Sequence, residues 1–118
     1  MAEYRLGEVE MKFADIIWEN EPIASGELVK LSEQKLNWKK STTYTILKRL
    51  CEREIFQNAD GVVSSLISKE QFQLKKSEEF LNENYGGSLP SFVAAFTSKK
   101  KLSSEEIDSL RKIIEESR

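Results

Sequence analysis

Apolar residues recur along this chain at helical spacing, with one turn-centred interruption, and the pattern predicts its elements. Val9, Phe13, Ile16 and Ile17 share one face of a helix over Glu8 to Glu19, flanked by Trp18. Glu8 and Glu10 fall in its first turn, where negative charge suits the macrodipole. Pro22 ends it, because the residue before a proline is pushed out of the helical region. A second helix is expected from Ala24 or Ser25 to about Leu36, with Leu28, Leu31 and the Lys35 stem facing in, and Asn37-Trp38 as a short link. The next segment, Trp38 to Glu54, pins Ile46, Leu47 and Leu50 to a core, with Thr43 one turn earlier.

Asp60-Gly61 is a hairpin signal, with Ile55 to Asn58 and Val62 to Ile67 as candidate strands. Helical patterning returns at Ser68, which forms a capping box with Gln71 and leads to Phe72, the Lys76 stem, Phe80 and Leu81. Gly86-Gly87 stops that helix. Ser88 then caps a short stripe of Leu89, Phe92, Val93 and Phe96, with Pro90 tolerated in its first turn. Thr97 to Leu102 reads as a solvated linker. Ser103 and Glu106 make another capping box ahead of Ile107, Leu110, Ile113 and Ile114. The expectation is a mainly α protein: a winged helix-turn-helix domain over residues 1–67 and a helical region over 68–118.

Composition fits one ordinary domain with an appendage: 118 residues, 39% hydrophobic and 32% charged, with few glycines and prolines. One cysteine, Cys51, and no histidine leave neither a disulfide nor a soft-metal cluster, and no cofactor is expected. No apolar signal core opens the chain, and no stretch approaches the roughly 20 apolar residues of a membrane span, so a cytoplasmic protein without membrane insertion is expected.

The net charge is only -2, but it is unevenly distributed. Residues 39–58 carry five basic and two acidic groups, whereas residues 1–38 carry four and eight. A local field of that kind matters more to a partner than the total. On the free face of the third helix stand Lys39, Lys40, Ser41, Thr42, Tyr44, Thr45, Lys48 and Arg49. Cations and hydroxyls grip phosphate oxygens, and Thr42, Tyr44 and Thr45 can probe base edges, which suits a helix lying in a major groove of double-stranded DNA. The plain alternative is a solvated basic face; Arg49, late in the helix, could equally pair with an acid of the first helix. The three tail helices are too thin to enclose a core, so their stripes either pack on the N-terminal domain or pair with a second chain. A homodimer would present two recognition helices.

The order of these features resembles the penicillinase-repressor family, also called BlaI/MecI/CopY, of bacterial winged-helix repressors. The resemblance is carried by Leu6, Ile16-Ile17-Trp18-Glu19, Glu27-Leu28-Val29, Trp38, Thr42, Thr45 and Leu47-Lys48-Arg49-Leu50. In the tail it rests on Phe80-Leu81, Gly86-Gly87-Ser88-Leu89, Phe92-Val93-Ala94, Phe96, Leu102-Ser103 and Glu105-Glu106-Ile107. Membership implies a homodimer that binds a dyad-symmetric operator and intertwines its C-terminal helices, here through Phe80, Leu89, Phe92, Val93, Phe96, Ile107, Leu110 and Ile114. For one branch it also implies derepression when a membrane sensor protease system triggers cleavage, at a bond that maps to Ala95-Phe96.

The departures from the family pattern are specific. Position 95 is alanine where that branch has asparagine, and no cysteine cluster of the copper-responsive branch follows Cys51. Lys39-Lys40 replace the usual Ser-Pro, exchanging a helix cap for two cations. Glu54 stands where a glycine normally ends the recognition helix, and the hairpin strand Val62-Val63-Ser64-Ser65 carries no cation, so the helix is expected to supply most of the affinity. A rival from another class is a winged helix that has lost DNA binding and docks a protein. Enzymatic function fits poorly, because the acids are scattered over helix surfaces.

Overall fold

The computed structural model describes residues 5–118; the first four residues of the N-terminal stretch discussed above lie outside it. Among the described residues the elements run α1 (Glu8–Asn20), β1 (Ile23–Ala24), α2 (Ser25–Leu36), α3 (Lys40–Glu52), β2 (Phe56–Ala59), β3 (Val62–Ser65), α4 (Lys69–Tyr85), α5 (Leu89–Thr97) and α6 (Ser104–Glu116). The strands form a small antiparallel sheet with β3 in the centre, and the protein is a winged helix of mainly α class. Two compact units divide at Glu79/Phe80, within α4.

The core of the first unit is built from the stripes that the sequence sets out. Phe13, Ala14, Ile16 and Ile17 from α1, Leu28 from α2, and Thr43, Leu47 and Leu50 from α3 are buried together with Ile55, Phe56, Val63 and Phe72. Two expected core positions lie elsewhere. Val9 is 47% exposed, because the inward face of α1 begins a turn later at Phe13, and Lys35 is exposed because the inward face of α2 ends on Leu31, Ser32 and Leu36. Trp18 does more than flank: its ring lies 5.1 Å from Phe56 and 5.4 Å from Phe72, and its Nε1–H donates to the Ile67 carbonyl at 3.1 Å. That brings the start of α4 onto α1, where Lys69 Nζ meets Asp15 Oδ1 at 2.9 Å and is held protonated by it.

Strand β1 escapes any two-residue periodicity. Ile23 pairs with Val63 and Ala24 with Val62, while the hairpin runs from Phe56↔Ser65 to Ala59↔Val62 around Asp60-Gly61. Both turn residues have positive φ, 52° and 81°, as a two-residue hairpin of this twist requires. Glu21, just after α1, clasps β3: Ser65 donates its N–H and its hydroxyl to Glu21 Oε1, each at 2.7 Å.

The end of α3 accounts for Glu54. The Ile55 N–H donates to the Leu50 carbonyl and the Glu54 N–H to the Cys51 carbonyl, a Schellman closure that puts Glu54 at φ 61°. An L side chain there costs about 1–2 kcal/mol. Glu54→Gly should therefore raise unfolding stability by about 0.5–1 kcal/mol, the unfolded-state entropy of glycine offsetting the remainder. An unchanged or lowered urea midpoint would count against strain at this position.

In the second unit, Ser88 Oγ accepts from the Ser91 N–H and Ser103 Oγ from the Glu106 N–H, as their capping roles require. Gly86 and Gly87 both take positive φ and stop α4. Phe80, Tyr85, Phe92 and Phe96 form a chain of rings with centroids 5.4–6.1 Å apart. No described residue of α5 or α6 is buried; Phe96 is 51%, Ile113 62% and Ile114 61% exposed.

Candidate nucleic-acid interface

Helix α3 is held by its apolar stripe, and its opposite face is what remains for chemistry. Thr43 is fixed twice over, buried and donating its hydroxyl to the Lys39 carbonyl at 3.2 Å. Lys39, Lys40, Ser41, Thr45 and Lys48 are exposed together on the solvent side. Lys39 is the N-cap and makes no side-chain cap bond, and no acid stands in the first turn. Two cations at the positive end of a helix dipole oppose helix stability. Local preference is broken here in the way expected where an external anion supplies the compensation.

The candidate base-facing residues are arranged unequally. Thr45 is exposed and its Oγ1 donates to the Ser41 carbonyl at 2.8 Å, so its proton is engaged and its methyl group and acceptor capacity are what it can offer a partner. Thr42 is half-buried. Tyr44 is half-buried as well, packed on the core, and its hydroxyl donates to Ser25 Oγ at 3.1 Å. Its tip is thus occupied by α2.

Arg49 takes the alternative partner. Its guanidinium contacts Glu10 Oε2 of α1 at 3.2 Å, while Glu10 Oε1 accepts from the Gly7 N–H at 3.0 Å. It is therefore paired with an acid in the first turn of α1 while its side chain stays 49% exposed. Cys51 is half-buried; burial first, and then the Glu52 carboxylate, push its thiol above the ordinary value, as for a packing residue rather than a reactive one.

The wing carries no cation between Phe56 and Ser65 and has an acid, Asp60, at its tip. No group of three or more metal-ligating side chains occurs among the described residues, and none of the described helices is long and apolar enough to cross a membrane. Ser25, which joins α2, α3 and the wing turn, carried no signal beyond its place at a helix start. Its partners are 19 and 36 residues away and meet it only in the folded chain.

Residues 6–116 match the penicillinase repressor family. The chain is similar to the penicillinase repressor of Bacillus licheniformis, at 30% identity over 95% of this chain and 91% of the relative. It is likewise similar to the methicillin resistance regulatory protein MecI of Staphylococcus aureus strain Mu50, at 28% identity over 94% of each. The penicillinase repressor of Staphylococcus aureus is 29% identical over 85% of this chain and 82% of its own length. A winged helix whose third helix exposes lysines, matched to the family over residues 6–116, this chain belongs to the penicillinase repressor family of transcriptional repressors, not to an enzyme family.

Proposed function

We propose that two copies of this chain repress transcription by binding a dyad-symmetric operator, each laying α3 in a major groove. The observation that carries this reading is the division of α3 into a buried stripe, Thr43, Leu47 and Leu50, and an exposed face of Lys39, Lys40, Ser41, Thr45 and Lys48. The lysines and Ser41 clamp phosphates, while Thr42 and Thr45 read base edges. Thr45, with its proton engaged, offers a methyl for thymine or an acceptor for an amino group. Arg49 braces α1, and the wing, with no cation and an acid at its tip, adds little.

The apolar faces of α5 and α6 are the dimerisation surface. Cutting Ala95-Phe96, in the exposed last turn of α5, would divide that surface and release the operator. A membrane sensor protease system is the corresponding partner. Alanine at 95 gives such a protease little to grip, and α5 must open at that turn to enter an extended-substrate cleft.

Titration of labelled duplex from the chain's own upstream promoter tests the reading, with tight, salt-sensitive binding expected. Lys39→Ala with Lys40→Ala should lower affinity for operator and random duplex alike. Losing two phosphate contacts flattens the logarithmic salt slope by about 1.8, which extrapolates to roughly 30-fold weaker binding at 0.15 M salt. An unchanged slope would remove both lysines from the phosphate clamp.

A further inference from the structure

We infer that Ser25 is a positioning residue that sets how the recognition helix stands relative to the wing, an inference that rests on the DNA-binding reading above. Three elements meet on this one side chain and its backbone. Ser25 opens α2, directly after the β1 pairing of Ile23-Ala24 with Val63-Val62. Its N–H donates to the Gly61 carbonyl in the wing turn at 2.8 Å, and its hydroxyl accepts from the Tyr44 hydroxyl of α3 at 3.1 Å. The hydroxyl also lies close to the wing turn, 4.0 Å from where a Cβ on Gly61 would stand, an ordinary van der Waals separation.

The backbone bond fastens the start of α2 to the wing. The side-chain bond then fastens α3 to that joint, midway along the face that carries Ser41, Thr45 and Lys48. Tyr44 is half-buried on the core, so its ring has little freedom once the hydroxyl is engaged. Base readout requires several side chains in register with base edges, whereas phosphate contacts tolerate slack. Release of the Ser25–Tyr44 bond therefore loosens register and leaves the electrostatic grip intact.

The test uses the full chain with Ser25→Ala, Tyr44→Phe, the double variant and Ser25→Thr, each titrated against operator and random duplex across a salt series. Each single variant and the double should bind operator about fivefold more weakly, by the same amount because all three remove one bond. Random-duplex affinity and the salt slope should stay at wild-type values, and Ser25→Thr should restore operator binding. Urea melts of the free chain should give the same non-additivity without DNA, which keeps a folding defect separate from a binding one.

Three results overturn the inference. The first is operator binding by Ser25→Ala equal to that of the wild type; the second is additive losses for the two single variants, which would place the Tyr44 hydroxyl on DNA; the third is equal weakening of both duplexes by Ser25→Ala with a flatter slope, which would place Ser25 on a phosphate. A wild-type chain that ignores every duplex defeats the DNA-binding reading itself, and is recognised by that.

Discussion

Replacing Phe96, Leu110 and Ile114 with glutamate together should leave the chain monomeric and weaken operator binding about 10²–10⁴-fold, while binding to an isolated half-site stays near wild type. The three residues lie on the α5 and α6 stripes, which are exposed in the single chain. Apolar surface gains about 25 cal/mol per Å² when removed from water, and on the proposed dimer reading a second copy of the same stripes is the covering. Tethering two winged helices converts the second half-site encounter into an intramolecular one, and that advantage disappears with the dimer. Six like charges brought to one symmetric interface oppose association as well as removing the apolar gain. Sedimentation as a dimer with undiminished operator affinity would place the interface elsewhere. The Trp18 environment in the first unit, read by fluorescence, should not change, which distinguishes this outcome from unfolding.

Phe72→Ala should cost the N-terminal unit about 3–5 kcal/mol, the range for emptying a fully buried aromatic site. Phe72 is fully buried although it belongs to the helix after the wing, and its ring packs tilted against Trp18 while Lys76 Nζ lies 5.8 Å from its ring centroid. Domains of this size hold about 5–15 kcal/mol in total, so the variant should melt far earlier in urea, with Trp18 emission reporting the loss. Phe72→Leu keeps most of the volume and should lose much less. A Phe72→Ala midpoint within about 1 kcal/mol of wild type would mean that the first turns of α4 are not part of this core.

The helices, the caps at Ser68, Ser88 and Ser103 and the hairpin are legible along the chain, because those follow from local rules. Periodicity identified Phe13, Ile16, Ile17, Leu28, Leu47 and Leu50 as core. Ser68-Gln71 and Ser103-Glu106 were legible as capping boxes, and Asp60-Gly61 as a turn, because each motif closes within a few residues. The basic run on α3 was legible for the same reason, since one helix carries it.

Which of those side chains remain available depends on long-range contacts of the folded chain. Arg49 pairs with Glu10 across 39 residues, Tyr44 reaches Ser25 across 19, and Glu21 meets Ser65 across 44. Strand β1 exists because β3 offers it an edge, not because two residues show a pattern. Val9 and Lys35 lie on helical stripes, yet the neighbours end before reaching them. Periodicity fixes the face of a helix on which a residue lies; the path of the rest of the chain fixes whether anything covers that face.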